Sequence, residues 1–288
     1  MTEILSFALG VMVMLSPGPF AGRQPLPDQR PLPDVNQLLM DVSRNQKRID
    51  SLVDPYTCTE TDEENELNGK GEIKRRTVKE YEVFFFGGEA IKRLTKKDGR
   101  PLKEGDQKKE DDRAEKRIRE IQKRQAKEER EAASAKKQKE DRADISAFLR
   151  ISTFTHPRRD QFRGHEVIVF DFTPNPGYRP RNRTEDVLHK LVGTLWVDDQ
   201  AHQVVRLEAH LSDSLKVGGG LLASVRKGGL MAFEQEKVNE EVWLPTIIEF
   251  HLTARVLFSS LAGDFTMRFS NYKKFRVSSV IKPNAEWK

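Results

Sequence analysis

The second half of the chain alternates apolar and polar residues with a period of two over several stretches, which predicts half-buried β-strands. Residues 166–172 place Ile168, Phe170 and Phe172 on one side, and Pro174, Asn175, Pro176 and Gly177 then break the run. Residues 195–197 and 204–211, the latter carrying Val205 and Leu207, are joined by a loop with Asp198, Asp199 and His202, of a length suited to a hairpin. Residues 221–225 and 230–235 flank Lys227, Gly228 and Gly229, which predicts another hairpin. A long run over 242–258 gives Ile248, Phe250, Leu252, Val256 and Phe258 a common face. Phe265, Met267 and Phe269 begin a last strand that Tyr272, Phe275 and Val277 extend. Short connections of this kind make an antiparallel meander, and strict alternation means that one face is buried while the other meets water.

The first half opens on helical spacing. Asp34 can cap a helix in which Val35, Leu38, Leu39, Val42, Ile49, Leu52 and Val53 recur along one face, and Asp54-Pro55 ends it. From Tyr56 the period changes to two. Strands are expected over 56–61, over 75–86 with Tyr81, Val83 and Phe85 on one side, and over 89–95. Asn68, Gly69 and Gly71, then Gly87-Gly88, then Asp98, Gly99, Arg100 and Pro101 supply the turns.

Between these two strand regions, residues 103–142 contain no proline and, past Gly105, no glycine. Strong helix formers dominate, with Asp112/Lys116, Glu115/Arg119 and Glu120/Arg124 in the favourable acidic-before-basic order. The expectation is a long solvated helix or helix pair projecting from the domain as an insertion. Ile118 and Ile121 form a stripe too thin for a coiled coil. A partner-docking helix is the alternative reading.

Composition adjusts this picture in one place. The formal net charge is +5, and residues 103–142 hold 15 Lys/Arg against 12 Asp/Glu, so the charged segment supplies most of the excess. Acidic residues interrupt the basic ones throughout, which is not the one-sided basic face of a nucleic-acid binder, and no nucleic-acid partner is expected. Residues 4–15 are a short apolar run followed by Ser16, Pro17, Gly18 and Pro19 and by the small pair Ala21-Gly22, the pattern of a cleaved export signal over 1–21. The run is short for a membrane span. Residues 22–34 read as a Pro-rich linker containing Pro-Leu-Pro-Asp twice. The expected mature protein is soluble and periplasmic, with 35–288 as one domain.

Catalytic chemistry finds little purchase. Cys58 is the single cysteine, so no intrachain disulfide or cysteine cluster exists, and a small core hydrophobe is its expected role. His156, His165, His189, His202, His210 and His251 include no zinc-binding His-Glu-x-x-His spacing. Gly218, Gly219 and Gly220 are followed by Leu221-Leu222 where a phosphate-binding loop needs Lys-Ser/Thr. No Gly-x-Ser-x-Gly elbow is present. Asp198 and Asp199 read as turn residues with hydrogen-bonding duty. No enzyme, metal or cofactor is expected.

Three strand sequences carry a family resemblance: Glu-Val-Ile-Val-Phe-Asp-Phe at 166–172, Gly-Thr-Leu-Trp-Val-Asp at 193–198 running into Val-Val-Arg-Leu-Glu at 204–208, and Val-Asn-Glu-Glu-Val-Trp-Leu-Pro at 238–245. Over about 35–281 the chain resembles the bacterial outer-membrane lipoprotein-sorting proteins of the LolA/LolB-like fold, with the charged helix as an insertion. The resemblance implies an α+β fold in which an open, strongly curved antiparallel sheet, a half-barrel, is covered by helices. It also implies a non-catalytic carrier whose apolar sheet face accepts a lipid or the acyl chains of a lipoprotein. Candidate ligand-lining residues are then Tyr81, Val83, Phe85, Ile168, Phe170, Phe172, Val205, Leu207, Ile248, Phe250 and Leu252. The alternative within the same fold is an envelope interaction or stress-sensing module that contacts a protein partner through 103–142.

Overall fold

The structure is a computed structural model that describes residues 30–50, 52–132, 145–217, 223–256 and 259–275. The export-like start, most of the Pro-rich linker, residues 133–144, Gly218 to Leu222, Phe258 and Val277 lie outside the described residues. The elements run α1 (Val35–Asp50), β1 (Tyr56–Leu67), β2 (Ile73–Phe86), β3 (Glu89–Lys97), β4 (Arg100–Pro101), α2 (Glu104–Ala132), α3 (Ile145–Ile151), β5 (Ser152–Phe162) and β6 (His165–Pro174). They continue with α4 (Arg183–Leu188), β7 (Leu191–Asp198), β8 (Val204–Leu211), β9 (Leu215–Val217), β10 (Ala223–Val225), β11 (Leu230–Val238), β12 (Val242–Val256) and β13 (Ser259–Lys274). No helix among the described residues is long and apolar enough to cross a membrane.

Every strand among the described residues joins one antiparallel sheet, in the order β4-β3-β2-β1-β13-β12-β11-β8-β7-β6-β5, with β10 paired to β12 and β9 to β10. The sheet is open, since β4 and β5 end it without pairing to each other, and the strong curl implied by the resemblance is not seen. Helix α1 packs against both halves of the sheet, Leu38 and Val42 with β6–β8 and Ile49 with Tyr56 of β1 and Val242, Trp243 and Leu244 of β12. Each end strand carries a proline, Pro101 in β4 and Pro157 in β5. In β5 the register to β6 jumps between Thr155 and Arg158, where His156 takes a left-handed φ of 51°.

The expected hairpin about Lys227 to Gly229 is not formed. Strands β10 and β11 lie end to end along the same side of β12, which is 15 residues long and can host both. The connecting glycines stay beside β8 instead, where Gly228 N donates to Leu211 O and Leu211 N donates to Gly229 O. The first strand is also longer than its sequence suggests. β1 runs on through Asp62, Glu63, Glu64, Asn65 and Glu66 because β13 and β2 pair it on both sides, so ladder hydrogen bonds override the poor strand propensity of the acids.

Helix α2 is docked rather than projecting. Ala114 and Ile121 are buried with Ile91 of β3, and Ile118, Phe84 and Phe86 close the cluster. Arg117 and Arg124 both reach Glu89. Gly87 makes this approach feasible, because a Cβ there would fall 2.2 Å from the Gln125 side chain and 3.2 Å from Ile121. The thin stripe of Ile118 and Ile121 therefore has a partner, and the charged residues face outward from it.

The main core sits between α1, α3 and strands β6–β8. Leu38 and Val42 of α1 and Phe148 of α3 cover Ile168, Phe170, Phe172, Leu195 and Leu207, and Phe148 meets Phe172 edge to face at 4.8 Å between ring centres. Full burial of each such side chain contributes roughly 1.5–3 kcal/mol. Gly193 of β7 stands opposite Phe172 and Ala209, and a Cβ added there would lie 1.9 Å from the backbone oxygen of Glu208. Gly193→Ala is expected to lower stability by about 2–4 kcal/mol by forcing β7 and β8 apart. Chemical denaturation checks this, and a variant within about 0.5 kcal/mol of the wild type contradicts it.

Candidate functional site

Cross-strand partners in an antiparallel sheet point to the same face, so the register alone assigns the faces. One row reads Phe170, Leu195, Leu207, Phe233, Ile248, Met267, Asp62 and Lys79 from β6 to β2. The next reads Phe172, Gly193, Ala209, Met231, Phe250, Phe265, Glu64 and Thr77. Both rows are apolar from β6 through β13 and turn acidic at β1. The change from Met267 to Asp62, or from Phe265 to Glu64, takes one strand spacing of about 4.8 Å.

This face divides into a filled part and an uncovered part. Ile168, Phe170 and Phe172 are 0% exposed and Leu207 is buried beside them, so these four candidates are packed under α1 and α3. Met231 and Phe233 sit half-buried at the rim of that core. Ile248, Phe250 and Leu252 of β12 and Phe265 and Met267 of β13 are half-buried and, among the described residues, belong to none of the three buried clusters, with Phe250 and Phe265 6.5 Å apart between ring centres. Tyr81, Val83 and Phe85 lie on the same face at the far end, Val83 fully buried and the other two half-buried. Val205, left unpaired at the register shift opposite Trp196/Val197, is buried in a second cluster with Ile49 of α1, Tyr56, Val242 and Trp243.

The acidic end holds an arrangement that the sequence reading passed over. Glu60 is 0% exposed and Asp62 8%, both on the apolar face in the row begun by Tyr56 and Cys58. Lys92 of β3 donates to Glu60 Oε1, and its Nζ lies 5.7 Å from the centre of the Tyr81 ring. Glu60 Oε2 and Asp62 Oδ1 are buried without a hydrogen-bond partner. Burial first, and then the hydrogen bond with Asp62, push the Glu60 carboxyl up to about 7, with Lys92 opposing. Burial likewise raises Tyr81 to about 12 and the Cys58 thiol, which lies beside Tyr272, to about 11. Cys58 is therefore a buried, protonated thiol, in keeping with the role expected of it. The signal for Glu60 and Asp62 was present in the sequence: continuing the period of two from Tyr56 and Cys58 lands on both.

A cleft of about 630 Å³ is lined by Phe162, Arg163, His165, Asp198, Gln235 and Trp243 among others. His165 Nδ1 lies 2.8 Å from Asp198 Oδ2, and Asp198 Oδ1 accepts from the backbone N–H of Gln200 and Ala201. Asp198 thus does the turn duty expected of it. The cleft's cations are taken, Arg163 by Glu234 and Glu236 and Lys237 by Glu240. Among the described residues its lining contains no Ser, Thr or Cys to serve as a nucleophile beside the histidine. Among the described residues no group of three or more His, Cys, Asp or Glu converges as a metal site.

Fold and face together define a sheet protein with a long apolar surface that its own helices half cover. No protein-family model and no curated protein matches the chain. Among solved structures it is similar to an outer membrane lipoprotein-sorting protein domain from Vibrio parahaemolyticus, at 10% identity over 86% of this chain and 96% of that one, with a TM-score of 0.38. It is also similar to a LolA superfamily protein from Nitrosomonas europaea, at 12% identity over 82% and 94%, with a TM-score of 0.34. A third, MucB in complex with MucA, matches at 8% identity over 85% and 100%, with a TM-score of 0.23. The first two neighbours bear the family names of the resemblance read from the strand sequences.

Glu60 gives a pH signature. Its carboxyl moves from an ordinary 4.5 to about 7 on folding, so the folded chain holds the extra proton between these values. The associated stability is complete below about pH 4.5 and is lost as pH rises through about 7. The thermal midpoint should fall across this window, and Glu60→Gln should remove that part of the slope. Parallel profiles for the two proteins would show that Glu60 titrates normally.

Proposed function

We propose that the protein is a non-catalytic binding protein that holds a lipid or the acyl chains of a lipoprotein against the uncovered part of its apolar sheet face. One observation carries the reading: among the described residues, Ile248, Phe250, Leu252, Phe265 and Met267 form a contiguous apolar strip that joins no buried cluster. Contiguous apolar surface of this kind is costly in water and marks a binding surface. Among the eleven residues proposed from sequence, Ile248, Phe250 and Leu252 form the contact surface, while Ile168, Phe170, Phe172 and Leu207 are the wall behind it. Residues 35–288 act as a single domain in this reading, and the export-like start at 1–21 directs the chain to the periplasm.

A second reading, an envelope protein partner at α2, draws on the exposed side of that helix, where Lys108, Asp112, Lys116 and Lys123 stand in solvent after Ala114, Ile118 and Ile121 are used. The docking of α2 on β3 means that deletion of 103–142 would uncover Ile91, so charge reversal on the outward side is the proper probe of it.

The leading reading is tested with a fluorescent fatty-acyl probe. The wild type should bind it at micromolar concentration, and Ile248→Asp/Phe250→Asp should weaken binding by at least about tenfold, equivalent to about 1.4 kcal/mol. Both positions are half-exposed, so the double variant should stay folded by circular dichroism. A wild type that ignores the probe, or a folded variant that binds it unchanged, removes the proposal.

A further inference from the structure

One end of the sheet, where β6 and β8 finish and β7 and β11 begin, gathers positive charge. The loop from β6 into α4 reads Pro-Asn-Pro-Gly-Tyr-Arg-Pro-Arg-Asn-Arg over 174–183. Its backbone is held from within. Glu185, 3% exposed, accepts from Arg181 N at 2.8 Å and from the Tyr178 hydroxyl at 3.0 Å, and Asn175 N donates to Ile151 O at 2.8 Å beside α3. Pro174, Pro176 and Pro180 fix φ along the same stretch. From this stiff loop Arg179 and Arg183 stand exposed, in no ion pair among the described residues. Arg181 and Arg150 of α3 bring their charges beside Glu185. Ser212 N donates to Lys190 O and Lys227 N to Ser214 Oγ, which sets the exposed Lys216, Arg226 and Lys227 at the same end. The other acids there are engaged locally, Asp186 with Lys190 at 3.0 Å and Asp213 with Ser214 N at 2.7 Å. The β1–β2 turn is different: Lys74 and Arg75 pair with Glu66, and Arg76 with Glu63.

We propose that this end is a docking surface for the anionic phospholipid headgroups of a bilayer, on which the protein rests while an acyl chain passes between the bilayer and the strip. A guanidinium presents paired donors that match a phosphate, and cations carried on a stiff loop lose little freedom on docking. The strip reaches this end. Leu252 is its last residue along β12, and a Cβ added at Gly229, two residues after Lys227, would lie 2.8 Å from Leu252 Cδ2. Leu230, 52% exposed, sets an apolar side chain close behind the cations in sequence, a combination that suits the headgroup layer. The choice of a bilayer over an acidic protein rests on the reading of the strip as an acyl-chain surface.

The test is co-sedimentation of the full chain with vesicles of phosphatidylcholine, alone or with about 30% phosphatidylglycerol, at about 0.1 M salt. The wild type should partition onto the anionic vesicles at least about tenfold more strongly. Arg179→Glu/Arg183→Glu should remove most of that preference, and Arg179→Gln/Arg183→Gln should fall between. Lys97→Glu/Arg100→Glu makes the same charge change at the far edge of the sheet and should stay within about twofold of the wild type. All four proteins share residues 1–21, so the apolar start contributes equally to each, and their thermal unfolding should match. Equal partition onto both vesicles, or an equal loss in the far-edge variant, would overturn the docking surface. Displacement by a polyglutamate peptide at a lower charge concentration than the vesicles present would overturn it in favour of an acidic protein. The strip is read separately: Arg179→Glu/Arg183→Glu should bind the fatty-acyl probe as the wild type does. A wild type that prefers anionic vesicles but ignores the probe would keep the docking surface and remove the reading of the strip.

Discussion

The pairing of β1 with β13 is the contact on which the rest depends. It joins residues near the start of the folded chain to residues at its end, Tyr56 to Lys274 and Leu67 to Ala262, and so fuses the β2–β3 hairpin to the sheet of the second half. Closing so long a loop is entropically unfavourable, and a ladder over most of the length of β1, with side-chain ties at its ends, offsets that cost. Tyr56 donates to Glu241, Lys274 reaches the same carboxylate at 2.7 Å, and Tyr272 donates to Pro245 O at 2.7 Å. These bonds lock the start of β1, the end of β13 and the start of β12 together. They also fix the register that places acids at one end of an apolar face.

That register makes the face asymmetric. Toward β6 the apolar rows are filled by the chain's own α1 and α3. Toward β13 they end in half-buried side chains, and at β1 they meet carboxylates. A structural core would spread polar groups outward and close the apolar surface. Here the two are set edge to edge on one face, a layout that suits an amphiphile. The opposite face instead balances its own charges, as where Arg206 stacks on Phe162 and Trp196 and pairs with Glu208 and Glu234.

Much of this was legible in the sequence because the period of two is a direct consequence of the pleat. Ile168, Phe170 and Phe172, and Ile248, Phe250 and Leu252, fall on one face as their alternation requires. Three things were not legible. The glycines at 228 and 229 signal a turn locally, but the length of β12 lets β10 and β11 share it, a fact that lives in the partner strand. The alternation from Tyr56 reaches Glu60 and Asp62, but their burial depends on the pairing of β1 with β13, which is distant in sequence. The docking of α2 escaped for a similar reason: a stripe of two isoleucines is enough when Gly87 lets the helix come close.

The prolines at the two ends of the sheet bear on how such a protein survives at high concentration. A wide open sheet offers another copy a row of unpaired amides at each end, the usual route to end-to-end polymerisation. At one end Arg100–Pro101 covers the Lys96–Lys97 end of β3, and at the other Pro157 and the bulge around His156 break the row midway. Each rim is thereby a shorter template for pairing with another backbone than the width of the sheet would suggest.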